Sequence, residues 1–386
     1  MSGASLLLLA LLPSACATSA RPDLDAVLED VREVVGAPGA ILAVRFPDGS
    51  VECYASGVAD LTTGLPAAVG DAYHLGSVSK TLTAAVVFRL AEEGHLDLED
   101  PLSRFLPEFP RSEEITLRHL LQQTSGLKDF YLYLYFRPDR AEMIEAVTRN
   151  WTKDQLIGLA ARFGHHFDPG QDWDYSSTNY FLLGVVIERA TEMTLAAAYS
   201  HYIFDPLGMT STWLVLHEPP RADMPFTGYL GEVKGWPHSE MFGELGASTV
   251  LEHSSVEWGA GGVVSTAADS LRFLDGLFGG ELLKASSFER MLETVPAKAL
   301  GAGGAEYGIP RDVASAYAHG LMRTQRPAYE MLGHGGIFAG HTAGLWYLPA
   351  SGIQLAVYFN RGFVPQRLLI DRVVEALGPT PSEPSR

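Results

Sequence analysis

Two tetrads in the sequence pair a serine with a lysine three residues on, Ser77-Val78-Ser79-Lys80 and Ser125-Gly126-Leu127-Lys128. A serine hydroxyl is a poor nucleophile at neutral pH and needs a base, and a lysine serves only where its surroundings favour the neutral amine. On a helix, residues i and i+3 share a face about 5 Å apart, so the amine can reach the hydroxyl. Lys80 is followed by Thr81-Leu82-Thr83-Ala84-Ala85-Val86-Val87-Phe88, an apolar run without a breaker. That run predicts a buried helix with Ser77 at its N-terminus. Burial would favour the neutral amine, and the helix start offers free N–H groups to an oxyanion forming at a carbonyl under attack. The competing reading is a Ser77 that merely caps the helix while Lys80 faces water, and the tetrad alone leaves both open. The second tetrad has Gly126 between its partners and precedes Asp129, which predicts a helix end or loop.

The elements that must position these residues follow from the apolar spacing. A helix is expected over Asp23 to Val35, then two strands, Ala40 to Phe46 and Ser50 to Gly57, joined by the turn Pro47-Asp48-Gly49. From Thr81 to about Leu207 the pattern is mostly helical, with apolar faces at Leu82 to Leu90, Leu117 to Leu121, Met143 to Val147, Gln155 to Ala161 and Phe181 to Ala190. Strand signals return at Gly344 to Leu348 and Ile353 to Phe359, before a closing helix from Pro365 to Leu377. The expected fold is therefore α/β of the α+β kind: an antiparallel sheet built from both chain ends, flanked by helices, with a mostly helical region inserted between them. In residue terms, one catalytic domain spans 22–378, its sheet-containing part 22–76 and 255–378 and its helical part 77–254.

Further segments add to the first tetrad. Tyr175-Ser176-Ser177-Thr178-Asn179-Tyr180 follows the turn Asp168-Pro169-Gly170 and leads into the apolar run Phe181 to Ile187. Gly333-His334-Gly335-Gly336-Ile337 lies just before the late strands. With these in order, the chain resembles the serine β-lactamase-like superfamily, which includes class C β-lactamases, penicillin-binding D-alanyl-D-alanine carboxypeptidases and related esterases and D-amino-acid peptidases. That family is marked by S-x-x-K, then Y-x-N, then K-T-G or H-x-G. Leu120-Leu121-Gln122-Gln123-Thr124-Ser125-Gly126-Leu127 is similar to its L-L-x-H-T-S-G-L segment, and Gly261-Gly262-Val263-Val264-Ser265-Thr266-Ala267-Ala268-Asp269 to its G-G-x-x-S-T-x-x-D segment. The resemblance spans about Asp23 to Leu377, implies a β-lactamase/transpeptidase-like fold, and makes Ser125-Lys128 part of a structural segment.

Residue by residue, the resemblance implies that Ser77 attacks an acyl carbonyl while Lys80 assists its deprotonation. Tyr175 becomes the companion base or proton shuttle, its phenol lowered from about pH 10 by the charge of Lys80. His334 takes the place of the K-T-G lysine, where it would hydrogen-bond Tyr175 or a substrate carboxylate. The oxyanion donors would be the backbone N–H groups of Ser77 and Ile337. Ser177, Gly335 and Gly336 would bind substrate, the glycines by letting its backbone come close. Read without the family, Tyr175 could equally be a core aromatic with a satisfied hydroxyl, and His334 a loop histidine at a glycine turn. Two departures stand out: Ser177 replaces the Asn of Y-x-N, and Gln123 the His of the L-L-x-H segment. A serine hydroxyl is shorter than a carboxamide, so contact with a substrate amide weakens. Thr266-x-x-Asp269 is read as a structural capping box.

Bulk properties bound the function. The 386 residues are 47% hydrophobic and 19% charged, enough for a substantial core, and the formal net charge of -18 argues against nucleic acid as a partner. Leu6 to Leu12 is an apolar run too short to span a bilayer, and Ala15-Cys16-Ala17 permits cleavage after Ala17, so 1–17 reads as a signal peptide; Cys16 offers a lipid anchor instead. The protein is thus expected to be exported, periplasmic or extracellular. Cys53 would be the one thiol left after cleavage and is read as a small buried hydrophobe. His165-His166 is read as a solvated loop, and no metal or organic cofactor is expected. The Pro- and Ser-rich residues 379–386 read as a disordered tail. The expected function is a serine hydrolase working through an acyl-enzyme on Ser77 and cleaving an ester or a peptide-like amide. Alternatives are a weak class C-like β-lactamase and a non-catalytic binder of cell-wall fragments or β-lactams.

Overall fold

The computed structural model describes residues 22–135, 145–146, 149–215, 221, 226–231, 246–247, 255–297, 315–338 and 340–378. The expected leader 1–17 with Cys16, part of the expected apolar face Met143 to Val147, and the expected tail 379–386 lie outside the described residues. Among the described residues, a nine-stranded antiparallel sheet has the order β3-β2-β1-β14-β13-β12-β11-β10-β9. Its ranges are β1 Gly39–Arg45, β2 Val51–Asp60, β3 Leu65–Pro66, β9 Val295–Pro296, β10 Ala316–Tyr317, β11 Met322–Gln325, β12 Glu330–Phe338, β13 His341–Leu348 and β14 Ile353–Phe359. Three strands near the N-terminus therefore join six near the C-terminus, with β1 paired to β14 in the register Ala43↔Ala356.

Strand β1 is buried on both faces, and its alternation divides the core. Ala40, Leu42 and Val44 meet α1 (Leu24–Val34) and the closing helix Arg367–Leu377 through Leu24, Leu28, Ile370 and Val373. Ile41 and Ala43 face the larger helical region. The inserted region is mostly helical, as expected, and at its centre runs α2 (Ser79–Glu92). This helix is apolar nearly all round because it is enclosed on nearly every side. Its polar residues are satisfied by backbone partners: Ser79 Oγ accepts from Val263 N at 3.1 Å, and Thr81 Oγ1 donates to Gly320 O at 2.7 Å.

Four expectations need correction. The segment Gly333 to Ile337 does not precede the late strands but lies within β12. Glycine is depleted in strands, which hides such a strand from propensity, yet close backbone approach demands it here, as shown below. Cys53 is exposed: it lies on β2 opposite Ala43, on a stretch of that strand left largely uncovered. His165 and His166 are half-buried rather than solvated: the His166 amide donates to Gly126 O at 2.7 Å, and its Nε2 lies 3.5 Å from the buried Asp174 carboxylate. Thr266 does cap the following helix by accepting from Asp269 N, but the Asp269 carboxylate does not return to the cap; it accepts from Ser211 N and Thr212 Oγ1. No helix among the described residues is long and apolar enough to cross a membrane.

Candidate active site

The site is assembled where α2 begins, against β12. Ser77 sits in a short 3-10 turn, Gly76–Val78, leading into α2. Neither that turn nor α2 uses a side-chain cap, so the Ser77 hydroxyl is not spent on capping. Lys80 is wholly buried and its Nζ donates to Ser77 Oγ at 3.0 Å and to Ala260 O at 2.9 Å, with Ser177 Oγ at 3.4 Å. Burial pulls the ammonium down from 10.5 to about 8, against the opposing pull of Glu257 and Asp129. That amounts to about 3 kcal/mol of preference for the neutral amine over a solvated lysine. A solvent-facing Lys80 is thereby excluded.

The turn carrying Ser77 packs directly on β12. Gly76 has φ +51°, and a Cβ on it would fall 2.7 Å from Ile337 N. A Cβ on Gly336 would fall 2.0 Å from Leu75 O and 2.9 Å from Ser77 N. Both glycines are therefore required for the close packing of the turn that carries Ser77 against Ile337 on β12. Gly335 faces the other side of the sheet, where a Cβ would meet Gln366 Nε2 at 2.5 Å. The absence of a side chain at 335 and 336 thus has an internal cause in the packing of the sheet.

Tyr175 lies on the loop before the helix Ser177–Thr191, half-buried, with its ring centroid 5.0 Å from Lys80 Nζ. Ser77 draws its phenol down slightly, yet burial pushes it well above its usual range, and Lys80 does not offset this. The expected lowering of this phenol by Lys80 does not occur, so at neutral pH the group is a phenol and not a phenolate. His334 is likewise placed differently from expectation. Its ring lies 6.1 Å from that of Tyr175, but its Nε2 is 3.2 Å from the Tyr317 hydroxyl and its Nδ1 2.6 Å from Gly335 O. Burial holds the imidazole at about 3, so it is neutral; the carbonyl partner fixes the proton on Nδ1, and Nε2 accepts from Tyr317.

Ser177 is buried, its amide donating to Asp129 Oδ2 at 2.9 Å and its hydroxyl turned toward Lys80. Asn179, two residues on, is used elsewhere: its Oδ1 accepts from Ser125 Oγ at 2.5 Å and its Nδ2 donates to Gln123 Oε1 at 2.5 Å. Gln123, with φ +64°, also accepts from Ser176 N, so this network ties the two segments that flank Tyr175 and carry the second tetrad. Ser125 and Lys128 lie in the loop after α3 (Leu117–Leu121) and form no second centre.

Three residues of the site were not read from the sequence. Asp129, whose carboxyl burial raises to about 6, faces Lys80 from the loop before the helix Phe130–Tyr135. Glu257 faces it from the turn Trp258–Gly261. Tyr317 holds His334. Trp258 takes φ +31°, a left-handed backbone that costs a bulky residue about 1–3 kcal/mol. Its ring is held against Phe181, with centroids 5.4 Å apart. Among the described residues no group of three or more His, Cys, Asp or Glu is arranged to hold a metal ion.

A family model described as Beta-lactamase matches residues 24–378. The chain belongs to the beta-lactamase family. Penicillin-binding protein 4* of Bacillus subtilis (strain 168) is 32% identical over 282 residues, covering 71% of this chain and 60% of the relative. The chain thus spans less than two thirds of that protein's length. Esterase EstB of Burkholderia gladioli is 32% identical over 280 residues, covering 68% of this chain and 71% of the esterase. Among solved structures, the D-amino acid amidase from Ochrobactrum anthropi SV3 complexed with L-phenylalanine amide superposes with a TM-score of 0.77 at 27% identity, covering 92% of this chain and 97% of the amidase. The beta-lactamase-family fold, with helices around an antiparallel sheet, is therefore shared over 92% of this chain.

Proposed function

We propose that this chain is a serine hydrolase that transfers an acyl group from an ester or an amide to water through an acyl-enzyme on Ser77. The observation that carries this reading is the 3.0 Å contact between Ser77 Oγ and the Nζ of a wholly buried lysine. Neutral Lys80 takes the hydroxyl proton as Oγ attacks the carbonyl, and the amides of Ser77 and Ile337 hold the oxyanion that forms. Tyr175 remains a phenol, and its place beside Lys80 and Ser77 suits it to relay the proton from Lys80 to the departing oxygen or nitrogen. Water then attacks the ester carbonyl of the acyl-enzyme and gives a proton to Lys80, which passes it to Ser77 Oγ as the acid leaves, so that both Ser77 and Lys80 return to their starting forms.

The site favours small esters and amides over peptides ending in a carboxylate. A neutral His334 with both nitrogens engaged offers no positive charge to a carboxylate. Ser177 has its hydroxyl committed to Lys80 and is too short to reach far into a substrate amide. The names of the similar esterase and of the D-amino acid amidase support the same classes of bond. The leader-like residues 1–17 support export, with Cys16 as an alternative lipid anchor.

The test is labelling with a fluorophosphonate probe, together with a panel of p-nitrophenyl esters, D-amino-acid amides, D-alanyl-D-alanine peptides and nitrocefin. Labelling that disappears in Ser77→Ala, with esters and amides turned over faster than the peptide and nitrocefin, is expected. Folded protein that neither labels nor turns over any of these would instead be a binder on an inherited scaffold.

A further inference from the structure

Lys80 faces two carboxyl groups, although a base for Ser77 needs none. Around Nζ stand Ser77 from the 3-10 turn, Tyr175, Ser177 and Tyr180 from the loop and helix beyond it, His334 from β12, Asp129, and Glu257. The other titratable groups packed on α2, Tyr199 and His319, contact Thr83 and Phe88 farther along. Asp129 has a structural task, since it accepts from Tyr131 N at 2.8 Å and from Ser177 N. Glu257 is 4% exposed and is brought in by a turn made to admit it. Its carbonyl accepts from Ala260 N and Gly261 N, while its carboxyl folds under the turn so closely that a Cβ on residue 261 would lie 2.1 Å from Oε2. The same turn delivers Ala260 O to Lys80 Nζ.

We propose that Glu257 is a positioning residue that shares one proton with Lys80: as a carboxylate it holds the lysine as an ammonium, and as a neutral acid it leaves the lysine free to act as base. This rests on the reading of Ser77 and Lys80 given above. Burial lifts the Glu257 carboxyl well above the usual carboxylate range and pulls the Lys80 ammonium down, so the two titrations approach each other and the first proton lost belongs to the pair. Molecules that have lost it divide between carboxylate with ammonium, which cannot deprotonate Ser77, and acid with amine, which can. A glutamine cannot accept the negative charge, so all of the proton loss then falls on Lys80.

The experiment is the pH profile of kcat/KM for a p-nitrophenyl ester with the full chain, for the wild type, Glu257→Gln and Glu257→Asp. The Gln variant is expected to move the acid limb about one unit lower, with KM unchanged, and the Asp variant to move it part of the way. An acid limb at the wild-type position in a folded Gln variant overturns the inference; should the Gln variant not fold, an unmoved limb in the Asp variant does so. A wild type with no Ser77-dependent turnover overturns the underlying reading itself, which a failure confined to position 257 would leave standing.

Discussion

The Nε2 of His334 accepts from the Tyr317 hydroxyl at 3.2 Å, so this histidine is a neutral buttress of the site and not its cation. The cationic group is Lys80, and what the site does follows from how its charge is managed.

Tyr175→Phe removes the hydroxyl that Ser77 acts on while keeping the ring beside Lys80. A loss of about 10²- to 10⁴-fold in kcat/KM is expected for a substrate with a poor leaving group, measured by steady-state kinetics. Because the group is a phenol throughout, the acid limb of the profile should stay where it is. A limb that moved with this substitution would show that the phenolate takes part.

Gly336→Ala tests the pairing of the two amides. The new Cβ must displace Leu75 O or Ser77 N, so the turn carrying the nucleophile moves off β12. An expected loss of about 10²- to 10³-fold in kcat with little change in KM would be read from ester hydrolysis. Wild-type kcat in this variant would mean that the amides of Ser77 and Ile337 do not hold the oxyanion.

Much of this was legible beforehand, and the reasons for the gaps are physical. The apolar run after Lys80 announced a buried helix, and the alternating runs at both chain ends announced strands that pair as β1 with β14. The Gly333 to Ile337 segment concealed a strand, because glycines needed for contact with Leu75, Ser77 and Gln366 carry no strand signal. Asp129 and Glu257 were missed because neither belongs to a spaced motif; they reach Lys80 only through the folding of two loops. Their one mark in the sequence is position, one residue past the second tetrad and four before the Gly261-Gly262 pair.

Ser177→Asn restores a carboxamide that can reach both Lys80 and a substrate amide. One hydrogen bond of about 1 kcal/mol should raise the ratio of amide to ester kcat/KM about fivefold. An unchanged ratio would count against Ser177 as the residue that sets this preference.

Acid stability follows from the buried pair His74 and His341, whose rings lie 5.3 Å apart with both Nδ1 atoms lacking a hydrogen-bond partner. Burial holds His341 at about 3 and His74 well below its usual value, whereas in the unfolded chain both protonate near pH 6.5. Below that pH the unfolded state binds more protons, so stability is lost as pH falls from 6.5 toward 3. Denaturant unfolding at about pH 7.5 and about pH 5 should show His341→Phe losing about 2 kcal/mol less than wild type. Equal losses would place the titration elsewhere.

The most direct measurement is the rate of the acylation burst with a p-nitrophenyl ester as a function of pH. If a buried, neutral Lys80 accepts the Ser77 proton, the rate climbs through an apparent pKa of about 8, and Lys80→Met abolishes that rise together with most of the burst. A burst rate that is flat across this range, or that survives in Lys80→Met, would contradict the account.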